Sequence, residues 1–500
     1  MTQPNFLILQ ADQLTSQVLA AYGQALAKTP EIDRLAREGT VFTNAYCSYP
    51  LCGPSRMSML SGQLASRVRA YDNAAEFSSE VPTFAHYLRA RGYTTTLSGK
   101  MHFVGADQLH GFEHRLTTDI YPSDFYWTEN LEDRDVKTRS DDRGVRVAGI
   151  CDRSPQLDYD ELAMFQAEQH LYDLARRREN PFCLFVSLTH PHEPYFCQPE
   201  HYELYSDDEV PLPTVGRIPT QAQDPLSDFI MTRHDLNKDF DPAIIRKARR
   251  AYLGSVSYID DQLGRLTRIL RRTGMAENTV VILIGDHGEM LGERGMWFKR
   301  HFYEWSARVP IIFWGPGVAA ARRSENVTLM DLLPTLLALS GDAGCTALVE
   351  PIDGRDLSGA LAGGAPVDDL ALAEVMSDGL AQPIFMVRRG DWKLISGPSH
   401  PVQLFNLAAD PHEERDLGQI PGEHETVRAE LIAERDRIWD AEALQRDIDR
   451  SIARRMLIRK AHDHGQAPVW DYVAPPDTMD RWCRTGSDYS GWAFSMLNPR

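Results

Sequence analysis

Short apolar runs that recur between helix-patterned stretches restrict the folds open to this chain more than any other feature. They fall at Asn5–Gln10, Tyr93–Leu97, Phe182–Leu188, Thr279–Ile284 and Val309–Trp314. Helical patterns lie at 30–38, 55–62, 82–91, 158–178, 243–273 and 329–339. A strand apolar on both faces must be covered on both, so the pattern predicts an α/β fold over residues 1–365: a large mixed, mostly parallel sheet flanked by helices. After Gly363-Gly364 the runs become shorter, at 371–375, 384–387, 392–395 and 403–406, and a charged helical stretch follows at 423–460. This predicts a small α+β domain at 366–464 with an antiparallel sheet and a helix. The segment 465–500 carries Trp470, Tyr472, Trp482, Tyr489, Trp492 and Phe494 without regular period, so it must dock on its own chain or a neighbour.

Composition narrows the function classes. With 500 residues, 43% of them hydrophobic, the chain buries roughly three quarters of its unfolded surface and needs no disulfide to fold. Its seven cysteines are odd in number and scattered, which argues for a reducing compartment, and we expect a cytoplasmic protein. A net charge of −18 disfavours nucleic acid as a partner. The apolar run at Phe6–Leu9 lacks a basic leader and is too short for a signal peptide or membrane span, so we expect no membrane partner. An anionic substrate would have to be held by local cations against the global field.

Such cations, with carboxylates, follow the predicted strands. Asp12 and Gln13 follow the first, Lys100 and His102 the second, His190 and His192 the third, Asp286 and His287 the fourth. Ligands of open α/β sheets gather beyond the carboxyl ends of the strands. Asp12 and Asp286 suit a hard divalent cation, with a carbonyl oxygen from Gln13 and a nitrogen from His287; oxygen donors fit calcium, and imidazole favours manganese.

The run Cys52-Gly53-Pro54-Ser55-Arg56 spaces a thiol, a rigid turn and a guanidinium as C-x-P-x-R. Read from the residues alone, Cys52 is either a cation-activated thiolate or a buried structural cysteine. The run also resembles the recognition sequence of type I sulfatases, enzymes of the alkaline-phosphatase-like superfamily, in which this cysteine is oxidised to formylglycine. The resemblance implies hydrolysis of a sulfate ester by attack of the formylglycine gem-diol on sulfur, with one divalent metal held by Asp12, Gln13, Asp286, His287 and residue 52. In that family the first strand usually ends in two aspartates, so Gln13 removes one anionic ligand and makes manganese more credible beside calcium. It further implies that Arg56 and His102 hold the diol, that Lys100 (in a G-K-x-H element) and Lys299 bind sulfate oxygens, and that His192 (in P-H-x-P) meets the leaving-group oxygen. A maturation enzyme that generates formylglycine is an implied partner.

The runs Tyr71–Glu76, Leu97–Gly105, Asp107–Phe112 and Arg115–Pro122 are similar to the choline sulfatases within that family. The resemblance implies an aromatic, acidic pocket for trimethylammonium, here with Asn73 and Trp127, and choline O-sulfate as the leading substrate. Two departures bear on the substrate: Asp133–Asp142 is charged where those enzymes carry an aromatic stretch, and Ser377-Asp378-Gly379 stands where they carry A-E-G, leaving Asp378 to face the cation. The alternatives are a phosphonate monoester or phosphodiester hydrolase on the same scaffold, and a catalytically silent binding protein. Related C-termini sit at subunit interfaces, so the 465–500 tail is expected to join a homo-oligomer, a dimer or tetramer.

Overall fold

In a computed structural model of the chain, the described residues are 3–128, 141–341, 347–376 and 379–474. Asp378, the 133–140 part of the charged stretch and the tail from 475 lie outside them.

Ten strands come first: β1 (Asn5–Ala11), β2 (Thr40–Tyr46), β3 (Thr94–Gly99), β4 (His114–Arg115), β5 (Gly149–Ile150), β6 (Phe182–Leu188), β7 (Phe196–Cys197), β8 (Thr279–Gly285), β9 (Ile311–Trp314) and β10 (Ala321–Thr328). Eight form one sheet in the order β10-β2-β9-β8-β1-β6-β3-β4, while β5 and β7 pair separately. All neighbours are parallel except β9, which runs antiparallel to β2 and β8. This is the mixed, mostly parallel sheet expected from the apolar runs. β6 and β8 are buried along their whole length, and β1 from Phe6 onward, as helices on both faces require.

Register explains where the polar groups emerge. Ala11 lies opposite Leu188 of β6 and Gly285 of β8, and Gly99 of β3 opposite Ser187. The residues that follow each strand therefore leave the sheet at one rim. Gly99 makes that exit on β3 feasible: its φ is +102°, and a Cβ there would lie 1.9 Å from the Ser187 carbonyl oxygen.

Besides the two-residue strands β4, β5 and β7, two longer strands escaped the sequence reading. β10 (ARRSENVT) is a charged edge strand, exposed at alternate positions in its first half, and β2 (TVFTNAY) mixes polar with apolar residues. The charged stretch at 423–460, read as one helix, is two: Glu425–Ile438 and Ala441–His462, with extended backbone at Trp439 (φ −120°, ψ 132°). Packing overrides propensity there. The Trp439 ring stacks on Phe385 at 4.6 Å and its Nε1 donates to Glu374 at 2.7 Å, while Asp440 caps the second helix through Ala443 N.

The small sheet is antiparallel, β11 (Leu370–Val375), β12 (Ile384–Arg389), β13 (Trp392–Gly397) and β14 (His400–Asn406) in that order. Its alternation divides its side chains between two cores. Ala371, Ala373, Met386 and Ile395 join the main core, whereas Leu372, Phe385, Leu394 and Leu404 pack with Leu431 and Trp439. Of the tail, residues 465–474 dock on their own chain: Asp471 accepts from Ser123 N (3.0 Å) and Oγ (2.8 Å), and the Tyr472 hydroxyl donates to Arg115 O (3.0 Å). Among the described residues, no helix is long and apolar enough to cross a membrane.

Candidate active site

Leu51 is extended, and the helix Cys52–Ser61 starts at the cysteine, three residues before the expected start at 55. Pro54 is tolerated in a first helical turn, where an N–H has no intrahelical partner to lose. The helix is buried throughout. Gly53 has a steric reason: its N donates to Asn73 Oδ1 at 2.8 Å, and a Cβ would sit 3.0 Å from that oxygen. The thiol thus opens a helix, the end that favours an anion.

Four strand ends converge on that thiol. The ligand atoms of Asp12, Cys52, Asp286 and His287, all buried, lie within 4.8 Å of one another. Cys52 Sγ is 3.1 Å from His287 Nε2 and 3.7 Å from Asp12 Oδ1. Asp286 Oδ1 accepts from Gln13 N and His287 N, both at 2.9 Å, which aims its Oδ2 at Arg56 Nε (2.9 Å). Arg56 also donates to Lys100 O (2.6 Å) and Ser187 Oγ (2.8 Å), and Lys100 Nζ donates to Asp12 Oδ2. Two carboxylates and an imidazole at this spacing fit one divalent cation.

The electrostatics favour an anion at residue 52. Burial would raise its thiol pKa, yet Lys100, Lys299 and His287 outweigh burial and hold it well below the usual range. Asp12 is held at about 2: burial and the Cys52 charge push it up, and Lys100, His192 and Arg56 pull it further down.

A second group of side chains closes the rim. Lys299 Nζ lies 2.7 Å from His192 Nε2 and 3.3 Å from Glu193 Oε2, and it donates to Gln13 Oε1. Gln13 Nε2 in turn donates to Glu289. The Gln13 amide is therefore engaged by Lys299 and Glu289, and the donors that converge are Asp12, Asp286, His287 and residue 52. His190 pairs with Asp160 (Nδ1 to Oδ2, 2.7 Å), away from this group. Glu193 sits at about 2: burial opposes its ionisation, but His192 and Lys299 prevail. A carboxyl lowered on folding contributes stability above its unfolded value and loses it as pH falls toward the folded one. Glu193→Gln is accordingly expected to cost about 3 kcal/mol near pH 7 and progressively less from about pH 4.5 to pH 2, read from urea unfolding at several pH values.

Opposite stands an aromatic wall. His102 has φ +64°, its N and that of Met101 donate to Asp119 Oδ2 at 2.9 Å, and its Nε2 donates to Asn73 O at 3.1 Å. Tyr121 (4.9 Å) and Trp127 (5.3 Å) pack against its ring, and Lys100 Nζ lies 4.3 Å from the Tyr121 ring centre. Asn73 and Trp127 are thus brought to the thiol's side of the rim. Four residues of this site were not singled out from sequence: Tyr121, Asp119, Glu193 and Glu289. All four lie inside or beside the motif runs that were, so their proximity to those motifs was the available signal.

The sulfatase family profile matches residues 4–342. The chain is 40% identical, over all of its length and 99% of the relative, to a choline-sulfatase of Rhizobium meliloti (strain 1021). It is 28% identical to an arylsulfatase of Clostridium perfringens, over 67% of this chain and 74% of that one. Among solved structures, a phosphonate monoester hydrolase of Agrobacterium radiobacter superposes with a TM-score of 0.71 at 23% identity, covering 88% of this chain and 96% of that one. A protein solved in complex with its substrate D-glucosamine-2-N,6-O-disulfate gives 0.69 at 21% identity, covering 90% and 99%. The sheet and the charged rim around Cys52 are thus those of a protein that belongs to the sulfatase family of sulfuric ester hydrolases.

Proposed function

We propose that this protein hydrolyses a small organic sulfate ester, choline O-sulfate first among the candidates, with residue 52 matured to formylglycine and one divalent cation, calcium or manganese, held by Asp12, Asp286 and His287. The observation that carries this reading is the convergence of two buried carboxylates, two lysines and an arginine on the residue that opens the C-x-P-x-R helix. Hydrated formylglycine supplies an oxygen nucleophile for sulfur. The cation supplies positive charge where the nonbridging oxygens gather.

The chain's own residues do the rest. Arg56 spans Asp12 and Asp286 and fixes both carboxylates. Lys100, just past the end of β3, and Lys299, in the connection between β8 and β9, would bind sulfate oxygens, offsetting the charge that builds on them during transfer. His192 holds its Nε2 toward Lys299 and would meet the leaving-group oxygen there. His102, oriented by Asn73 O, would help Arg56 hold the diol of residue 52. Gln13 positions Lys299 in this reading, with its oxygen beside the donor set. The rings of Tyr121 and Trp127 offer π faces to an alkylammonium leaving group, and Asp378 would add the negative charge. The scattered cysteines support a cytoplasmic location, and a formylglycine-generating enzyme would act on the chain. The aromatic residues beyond 474 would contribute to a homo-oligomer.

A screen of choline O-sulfate, p-nitrophenyl sulfate, p-nitrophenyl phosphate and phenyl phosphonate separates this reading from that of a phosphonate hydrolase, which the 0.71 structural match motivates. The expected result is a kcat/KM for choline O-sulfate at least about tenfold above every other ester, with activity lost to a chelator and restored by calcium or manganese. Preference for a phosphorus ester would transfer the function to the second reading.

A further inference from the structure

One buried arginine far along the chain reaches back to the walls of this site. Arg455, on the helix Ala441–His462, is 3% exposed and grips Asp72 with both arms of its guanidinium: Nη1 to Oδ1 at 2.8 Å and Nη2 to Oδ2 at 2.7 Å. Its Nη1 also lies 3.4 Å from Thr128 Oγ1. One turn further on, Arg459 donates to the Thr128 carbonyl at 2.8 Å. Residues four apart share a helix face, so one face holds both Asp72 and Thr128.

Each of these residues neighbours a wall of the site. Asp72 precedes Asn73, and its Oδ1 also accepts from Ala74 N at 2.8 Å, so the carboxylate gripped by Arg455 shapes the turn that presents Asn73. Asn73 touches the Cys52 helix through Gly53 N and touches His102 through its carbonyl oxygen. Thr128 follows Trp127, which packs on the other side of His102. Neither Asn73 nor Trp127 belongs to a long element; Asn73 lies in a turn, and Trp127 ends the short 3-10 helix Phe125–Trp127. Their separation is therefore set by what grips them from behind.

We propose that Arg455 is a positioning residue for the leaving-group pocket: by holding Asp72 and Thr128 together it fixes the gap between Asn73 and Trp127, and so selects the alcohol that the site accepts. The proposal rests on the reading that these two side chains face the leaving group. Arginine suits the task because its planar fork meets both carboxylate oxygens at once, whereas a lysine ammonium makes a point contact that leaves the Asp72 side chain free to turn. Lys100 is held by Asp12 and Lys299 by Gln13, groups that are not part of this clamp.

The test is steady-state kinetics of Arg455→Lys and Asp72→Asn with choline O-sulfate and p-nitrophenyl sulfate, together with competitive inhibition by inorganic sulfate and thermal unfolding. The expected result is that KM for choline O-sulfate rises about tenfold or more while kcat stays within about threefold, because misplacing a positioning wall by a fraction of an ångström weakens a fit without removing a reacting group. The inhibition constant of inorganic sulfate stays at the wild-type value, and the ratio of efficiencies for the two esters shifts. A fall in melting temperature with that ratio unchanged would overturn the proposal and leave Arg455 as a stabilising contact only. Should Arg455→Lys not fold, Asp72→Asn decides by the same ratio. If the wild type cleaves p-nitrophenyl sulfate but not choline O-sulfate, the substrate reading fails by itself. The clamp is then judged on p-nitrophenyl and methyl sulfate, where a shifted ratio supports it and an unshifted one overturns it.

Discussion

Cys52→Ala is expected to lower kcat/KM by at least about 10⁴-fold, the scale on which removing a covalent nucleophile acts, while the protein keeps its fold. The fold survives because Sγ projects among polar groups, with Asp12 Oδ1 and His287 Nε2 as its neighbours, so alanine leaves no apolar cavity. Cys52→Ser is the sharper variant. A serine hydroxyl can accept a sulfo group from the ester, but it has no second hydroxyl on the same carbon to lose a proton and expel sulfate. Release then requires water to attack sulfur again. Rapid-quench kinetics are expected to show no more than one alcohol released per chain, followed by a far slower steady state. Sustained turnover by Cys52→Ala at wild-type rates would remove residue 52 from the chemistry.

Arg56→Lys is expected to have the second-largest effect, on stability as well as on rate. The guanidinium, Asp12 and Asp286 are all fully buried, and the arginine meets both carboxylates as well as Lys100 O and Ser187 Oγ. An ammonium cannot span these groups, so at least one buried carboxylate loses its ion pair with residue 56. Breaking a buried pair in this way costs about 3–5 kcal/mol, and urea unfolding of chelator-treated protein should show that loss. A divalent cation replaces part of the missing charge, so adding calcium or manganese should recover more stability in the variant than in the wild type. Turnover is expected to fall about 10²–10³-fold even with metal, as when a preorganised donor is removed from a developing charge. Equal metal effects in variant and wild type would mean that Arg56 and the metal do not act on the same carboxylates.

The central sheet was legible because β1, β6 and β8 are buried on both faces and therefore apolar at every position that matters. β2 and β10 were not, since partly exposed strands carry Thr, Asn, Arg and Glu, and period-2 patterning is weak there. The break at Trp439 was hidden for a different reason: helix propensity continues through it, and only Phe385 and Glu374, distant in sequence, draw the indole out of the helix.

The site divides in the same way. Asp12, Lys100, His192 and Asp286 could be found as polar residues after apolar runs, and the Cys52 motif by its spacing and resemblance. What spacing could not convey is orientation. Gln13 follows β1 just as a metal ligand would, but its amide is aimed by Lys299 and Glu289, each more than 270 residues away. Tyr121 and Glu193 sit within recognised runs, but their roles follow from His102, Lys100 and Lys299, which only the folded chain brings near. Arg455 carried no signal in sequence, since a basic residue in a charged helix reads as solvated until its partner at Asp72 is known.

The most direct test of the account is the mass of the peptide that contains residue 52, taken from active protein purified from its native host. Conversion of cysteine to formylglycine lowers the mass by about 18 Da, and the expected result is that this peptide carries the loss in proportion to specific activity across preparations. Full sulfatase activity in protein whose residue 52 is entirely unmodified thiol would contradict the account.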